Sequence, residues 1–77
     1  MLEPITINEL LILGNVTFFM EPRRSKGLLE MMRLHNGNIQ WWNVQTEKWF
    51  NYGISKEPKH MLELHAYKLY LYLPEDE

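Results

Sequence analysis

The chain has 77 residues, a formal net charge of −2 and no cysteine. This length allows one domain but not two, and the lack of cysteine excludes disulfide bonds and thiolate zinc sites. No segment approaches the roughly 20 apolar residues that a transmembrane helix needs, and no basic signal-peptide region begins the sequence. We therefore expect a single domain, residues 1–77, that acts in the cytoplasm away from membranes and ends in an acidic tail, residues 75–77.

The distribution of charge argues against nucleic acid as a partner. When the three acidic residues of the tail are set aside, the rest of the chain has a net charge of +1. Such a balance creates no strong field for a polyanion. Three Trp, four Tyr, three Phe and five Met instead indicate a chain that folds around an apolar core.

A short helix is predicted near the N-terminus. Thr6 and Glu9 have the spacing of a capping box, and Gly14 stands where a helix would stop. Residues 6–13 would form this helix, although the apolar positions in the same segment also fit the alternation of a strand. The capping signal favours the helix. A first strand is then predicted over residues 16–20.

The strongest local signal is a hairpin centred on Asn36 and Gly37. This pair is preferred in type I′ turns, because both central residues of such a turn need positive φ. A two-residue loop here sets six cross-strand pairs: Leu34 with Ile39, Arg33 with Gln40, Met32 with Trp41, Met31 with Trp42, Glu30 with Asn43, and Leu29 with Val44.

A second turn near Thr46 and Glu47 leads to another strand, and Gly53 would end this meander. If its loop also has two residues, the facing pairs are Val44 with Trp49 and Trp42 with Asn51.

Another helix and a final strand are predicted in the last third of the chain. Pro58 suits the first position of a short helix, whose buried side would carry Met61, Leu62 and Leu64. Residues 67–73 alternate as a strand should. The predicted fold is a small α+β domain with a four- or five-stranded antiparallel sheet, built as a hairpin or meander, and one or two short helices. A small all-β barrel is the alternative.

Adjacent apolar residues recur along the predicted strands: Phe18-Phe19, Leu28-Leu29, Met31-Met32, Trp41-Trp42 and Trp49-Phe50. Because side chains alternate along a strand, each such pair places apolar groups on both faces of the sheet. The expected core face carries Leu28, Met32, Leu34, Ile39, Trp41, Phe50 and Tyr52. The second face carries Leu29, Met31, Trp42, Val44 and Trp49, with Arg33, His35, Gln40 and Asn51 at its edge. The chain's own helices, closure into a barrel, or a partner must cover it.

Two groups of side chains are candidate binding sites. Arg23, Arg24 and Lys26 share one loop and could hold a phosphate or carboxylate, or could simply form a solvated loop. Arg33 lies beside Trp42 on the second face, where it could hold a nucleobase or could cover apolar surface with its own stem. The complete set of candidate binding residues is Arg23, Arg24, Lys26, Met31, Arg33, Gln40, Trp42 and Trp49.

The inventory of reactive side chains does not predict an enzyme. Asp76 in the tail is the only aspartate, and neither Ser25 nor Ser55 stands in a nucleophile elbow. General acid–base catalysis needs a positioned partner that no spacing here provides. We expect no catalytic residue, no metal site and no cofactor.

The order of elements resembles that of small bacteriophage accessory proteins, including the signal-sequestering anti-Thoeris type. The matching segments are residues 7–13, residues 16–20, the Asn36-Gly37 hairpin and residues 61–73. The Gly-Trp-Asn-like signature of that family after its first strand is absent, and Pro22-Arg23-Arg24 stands in its place, so no binding residue is carried over. The resemblance implies an oligomer that sequesters a nucleotide-like signal without destroying it.

Three functional hypotheses follow. The first is a non-enzymatic binding or assembly protein whose second sheet face binds a protein partner or another copy of the chain, as in a phage-type inhibitor of a host or defence factor. The second is an oligomer that sequesters a nucleotide-like small molecule. The third, which the charge disfavours, is a module that binds single-stranded nucleic acid through exposed aromatic side chains.

Overall fold

A computed structural model describes residues 1–52 and 57–72, which form the predicted α+β domain. Gly53, Leu73 and the acidic tail, which the sequence assigns to the end of the meander, the last strand and the C-terminus, lie outside the described residues. The strands are β1 (Leu2–Pro4), β2 (Val16–Pro22), β3 (Glu30–His35), β4 (Asn38–Asn43), β5 (Lys48–Asn51) and β6 (Ala66–Tyr72). The helices are α1 (Ile7–Leu13) and α2 (Pro58–His65), and Arg23–Ser25 form a short 3₁₀ turn.

All six strands belong to one antiparallel sheet with the order β1-β6-β2-β3-β4-β5. The sheet is open, with β1 and β5 at its edges, so the barrel alternative is wrong. The described part of the chain also has one strand more than the four or five predicted. The additional strand is β1, whose three residues include Pro4 and carry no strand signal of their own; pairing with β6 is what makes the segment extended.

Helix α1 begins at the predicted capping box. The Glu9 backbone N–H donates to Thr6 Oγ1 at 3.1 Å, and the Thr6 backbone N–H donates to Glu9 Oε1 at 3.0 Å. The helix ends at Gly14, whose φ of 79° lies in the left-handed region that favours glycine. The capping signal therefore outweighs the strand-like alternation. In α2, Pro58 occupies the first turn as predicted.

The hairpin between β3 and β4 is confirmed at its turn. Asn36 and Gly37 have φ values of 52° and 83°, as a type I′ turn requires. The ladder runs from His35–Asn38 through the predicted Leu34–Ile39 and Arg33–Gln40 pairs to the Met32–Trp41 pair.

The core lies on the sheet face that is covered by both helices. Leu10 of α1 and Leu62 of α2 pack there against strand residues Phe18, Met20, Met32, Leu34, Ile39, Ala66 and Leu69. Leu28 and Leu64 were predicted on the buried side, but they are 65% and 54% exposed. Leu28 precedes β3 and does not enter the sheet, and α2 instead presents Leu62 to the core. Phe50 is also exposed, because β5 is an edge strand.

The pairing of β2 with β6 is interrupted by a register shift. Glu21 pairs with Lys68, but the next residue, Pro22, pairs with Ala66, so Tyr67 is an extra residue on β6. Proline has no N–H to donate to a ladder, and a bulge is one of the positions where a sheet tolerates it.

No helix in the described residues is long and apolar enough to cross a membrane.

Candidate binding face of the sheet

The second face of the sheet is the one opposite both helices. Side chains alternate along β2, so Phe18 and Met20 enter the core while Phe19 points to the other side. The two helices cannot cover both faces, and the buried residues of each, Leu10 and Leu62, belong to the core cluster. The second face is therefore open in the part of the chain that the structure describes, and we call it the open face.

An apolar row crosses the open face from one sheet edge to the other, with a break between β3 and β4, where no ladder pair joins Met31 to Trp42. We define this row as Pro4, Tyr70, Phe19, Met31, Trp42 and Trp49, one residue from each strand. Cross-strand pairs join Pro4 to Tyr70, Tyr70 to Phe19, Phe19 to Met31, and Trp42 to Trp49. Apart from the exposed Pro4, these side chains are half-buried, although no helix covers them. They shield one another from water.

The two tryptophans at the β5 end of the row pack against each other with tilted rings. The ring centroids of Trp42 and Trp49 are 5.3 Å apart, with 60° between the planes, within the range of favourable aromatic pairs. The sequence predicted Val44 opposite Trp49 and Asn51 opposite Trp42, and both pairs are wrong. Asn51 pairs instead with Gln40.

A four-residue loop explains this register. Asn43 Oδ1 accepts hydrogen bonds from the backbone N–H of Gln45 at 2.8 Å and of Thr46 at 3.2 Å. The Glu47 N–H then closes the loop on the Asn43 carbonyl at 2.8 Å, with Glu47 at a φ of 55°. The Asn43 side chain thus nucleates a longer turn than the two-residue loop that was assumed. The change moves the partners by two residues, so Trp42, Trp49 and Asn51 keep their predicted face, whereas Val44 lies in the loop and not on the sheet.

A polar row runs beside the apolar row. Arg33 Nε donates to Gln40 Oε1 at 2.7 Å, and Gln40 Nε2 donates to Asn51 Oδ1 at 3.1 Å. The guanidinium of Arg33 also lies 4.4 Å from the centre of the Trp49 ring, a cation–π contact. The predicted residues Arg33, Gln40, Trp42 and Trp49 are therefore neighbours, but Arg33 stacks on Trp49.

A cleft of about 620 Å³ opens in the sheet where β3 and β4 separate. The β3–β4 ladder stops at Met32–Trp41, while the next residue of β3, Met31, stays paired with β2 and the next residue of β4, Trp42, stays paired with β5. The Met31–Trp42, Glu30–Asn43 and Leu29–Val44 pairs expected from the turn are thus absent from the ladder, and Leu29 and Val44 lie outside the strands. The cleft is lined by Phe19, Leu29, Glu30, Met31, Trp41, Trp42, Asn43, Val44 and Gln45.

The three cations of the 23–26 loop are directed to three different protein groups. Arg23 donates to the Glu63 carbonyl at 3.3 Å, Arg24 pairs with the Glu30 carboxylate at 3.3 Å, and Lys26 lies 4.4 Å from the centre of the Tyr67 ring. The structure does not bring these cations together around one point, nor does it join them to Arg33.

Besides Pro4, two members of the apolar row, Phe19 and Tyr70, were not among the predicted site residues. The Phe18-Phe19 doublet and the alternation of the last strand place both side chains away from the core. Their position beside Met31, however, depends on β2 pairing with both β3 and β6. No local sequence pattern indicates that strand order.

The titratable groups give little indication of chemistry on this face. Burial raises the pKa of Tyr52, whose ring makes an edge contact with His65 at 5.5 Å on the helix side. Within residues 1–52 and 57–72 no three His, Asp or Glu side chains are grouped closely enough to hold a metal ion. This arrangement is suited to binding, because the apolar row, the polar row and the cleft lie together on one face.

No protein-family model matches this chain, and comparisons with curated proteins and with solved structures likewise find no match. The geometry of the open face is therefore the structural basis for proposing a function.

Proposed function

We propose that this chain is a non-enzymatic binding protein that uses the open face to hold another protein chain. The observation that supports the proposal is the apolar row, which crosses all six strands on the side where the described residues provide no covering helix. Antiparallel sheets with one solvated face normally carry polar side chains there. Here the row carries aromatic rings and a methionine, which are the residue types enriched at the centres of protein interfaces.

Apart from Pro4, the side chains of the apolar row are only half-buried within the chain. Complete burial of a large apolar side chain contributes about 1.5–3 kcal/mol, and Phe19, Met31, Trp42, Trp49 and Tyr70 have received only part of it within the chain. A partner that completes their burial gains the remainder at several positions at once. The hydrogen-bonded polar row beside them provides the rim that specific interfaces have around an apolar centre.

The proposal includes the cell compartment and the class of partner. A chain without cysteine suits the reducing cytoplasm. The resemblance of its element order to bacteriophage accessory proteins supports a role as an inhibitor that occupies a host or defence protein.

Site-specific photo-cross-linking tests this function. The photo-reactive analogue p-benzoylphenylalanine at position 49 replaces one aromatic ring of the open face with another, and the same analogue at position 12 reports on the helix side, where Ile12 is 83% exposed. In the source cells, we expect a discrete protein adduct from position 49 and none from position 12. The adduct should disappear when Met31→Asp places a charge in the row.

The outcomes that contradict the proposal are equally specific. Equal cross-linking from positions 49 and 12 would show that the open face is not the binding surface. No adduct from position 49, in a chain whose circular dichroism shows that it is folded, would show that the face binds no protein.

A second function has its own supporting observation, the contact of Arg33 with Trp49, whose ring packs against Trp42 at the wall of the cleft. A cation and an indole side by side can hold a nucleotide-like molecule by charge and stacking, and 620 Å³ is within the usual size range of small-ligand sites. Addition of mono- and cyclic nucleotides should then change the tryptophan fluorescence in a saturable way. Arg33→Ala should abolish the change, and Lys48→Ala, a cation of the neighbouring edge strand, should not. A flat titration with every nucleotide contradicts this alternative.

A further inference from the structure

We infer that the partner of the open face is a second copy of this chain, packed sheet on sheet about a twofold axis that runs along the apolar row. This inference depends on the proposed function and names its partner. Two copies would form a sandwich in which the two apolar rows become one shared core and the four helices lie on the outside.

Self-complementarity is the first argument for a second copy. A twofold interface uses the same patch on both subunits, so the patch must tolerate its own image. With the axis along the row, each half of the dimer lays apolar side chains on apolar side chains. Arg33 lies on one side of the row and Glu21 on the other. That other side also carries Lys68, which pairs with Glu21 in the ladder, so the rotation places Arg33 over a side whose formal charges cancel and creates no cluster of like charge.

The area of the face is the second argument. Six strands spaced about 4.8 Å apart, each contributing three to seven residues of about 3.3 Å, give a face of roughly 29 by 18 Å. Two such faces would bury on the order of 1,000–1,500 Å² in total, which reaches the roughly 1,000 Å² expected of a specific interface. Each copy would cover about a tenth of its 5542 Å² surface.

The sheet edges are poorer routes to a dimer. Edge strand β1 has three residues and includes Pro4, and edge strand β5 has four residues and includes Lys48. Short edges with proline or lysine are devices that disfavour strand-to-strand pairing between chains. This leaves the face as the larger and better-suited surface.

The small core is the third argument. In residues 1–52 and 57–72, nine buried hydrophobic residues form a modest core, and chains of about this length bury only about 60% of their unfolded surface. A second apolar layer shared between two copies would give each sheet a core on both faces. Obligate homodimer interfaces commonly look like a domain core cut in half.

The first experiment is native mass spectrometry across concentrations, with a matched pair of variants. We expect a species of twice the 9.4 kDa chain mass at micromolar concentration. Met31→Asp, in the middle of the row, should convert it to monomer. Ile12→Asp adds the same charge on the exposed side of α1 and should leave the dimer intact. Circular dichroism of both variants checks that each chain remains folded.

The second experiment locates the axis and uses the absence of cysteine from the chain. Facing residues of packed sheets lie about 10 Å apart, which a short bismaleimide can span but a disulfide cannot. Met31→Cys should therefore cross-link to its own copy rapidly, and Ile12→Cys should not. This readout does not require that any variant lose the dimer.

The results separate this inference from the proposed function. A folded monomer at all concentrations overturns the dimer, and the proposed function then stands if position 49 still cross-links to a different protein. A dimer that survives Met31→Asp, or that cross-links equally through position 12, also overturns it, because the contact would lie elsewhere. A monomer that also yields no adduct from position 49 contradicts both.

Discussion

Trp41 and Trp42 are consecutive in the chain, but their rings pack on opposite faces of the sheet. Trp41 lies 5.4 Å from the ring of Phe50 on the helix side and packs against the core. Trp42 lies 5.3 Å from the ring of Trp49 on the open face. One ring therefore packs against the core, and the next ring along the chain lies on the face for which binding is proposed.

This separation predicts opposite effects for two neighbouring substitutions. Trp41→Ala removes contacts with the core and should lower the free energy of unfolding by about 3 kcal/mol, whereas Trp42→Ala should cost about 1 kcal/mol. Urea unfolding followed by far-UV circular dichroism measures both. The Met31→Asp background keeps the comparison free of any contribution from assembly. Similar losses from the two substitutions would contradict the assignment of the faces.

Binding should show the reverse order. In the wild-type background, Trp42→Ala should weaken the assembly or partner binding at the open face at least tenfold, because central aromatic residues dominate interface energies. Trp41→Ala should leave it within about threefold, provided that the measurement is made well below the unfolding transition. Dissociation constants from sedimentation or native mass spectrometry provide the test.

The predicted parts of the fold are those in which a local signal determines the structure. The capping box of Thr6 and Glu9 identified α1, the Asn36-Gly37 pair fixed the first hairpin, and Pro58 marked the start of α2. Each of these is a contact or backbone requirement within a few residues. Four of the five apolar doublets likewise identified both faces, since alternation along a strand is local, but Leu28-Leu29 precedes β3 and lies outside the sheet.

The parts that could not be predicted depend on contacts between distant segments. The pairing of β6 with both β1 and β2 creates the apolar row, and no short-range pattern encodes it. The side chosen by the helices follows from their packing of Leu10 and Leu62 together on Phe18. The loop after Asn43 was predicted wrongly because an Asx turn competes there with a two-residue turn, and the burial of Leu28 and Leu64 was also predicted wrongly.

Asn43 is therefore predicted to control the register of the two tryptophans. Asn43→Ala removes the acceptor for two backbone N–H groups and should cost about 1 kcal/mol, while Asn43→Asp keeps the acceptor and should cost little. Two coupled indole rings produce an exciton signal in the far-UV circular dichroism spectrum. We expect this signal to weaken in the alanine variant and persist in the aspartate variant. An unchanged signal in both would show that the loop does not set the Trp42–Trp49 contact.

The turn at Gly37 offers a test of backbone conformation without steric interference. Its φ is 83°, and a Cβ added there would meet no atom within 4 Å. Gly37→Ala should therefore destabilise the chain by about 1 kcal/mol purely through the left-handed conformation. A chain of this length is accessible to chemical synthesis, and D-alanine at the same position prefers positive φ. The D-alanine chain should be at least as stable as wild type, and equal losses from both enantiomers would contradict this account.

The capping box predicts a pH dependence of defined sign. The pKa of Glu9 lies below its ordinary value of 4.5, because its carboxylate accepts hydrogen bonds from the Thr6 backbone N–H and then from the Thr6 hydroxyl. A folded-state pKa below the unfolded value means that the contribution is complete above about pH 4.5 and is lost as the pH falls through the folded pKa. The stabilisation should thus be present at neutral pH and absent at the acid limit.

A double-mutant cycle isolates this contribution from every other carboxylate. The four chains are wild type, Thr6→Ala, Glu9→Gln and the double variant, with the free energy of unfolding measured by urea at several pH values. The coupling between the two side chains should be constant from pH 7 to about pH 5 and should decrease below pH 4.5, as the carboxylate is protonated and ceases to be a charged acceptor. A coupling that stays the same down to the lowest pH would show that the charge of Glu9 contributes nothing to the cap.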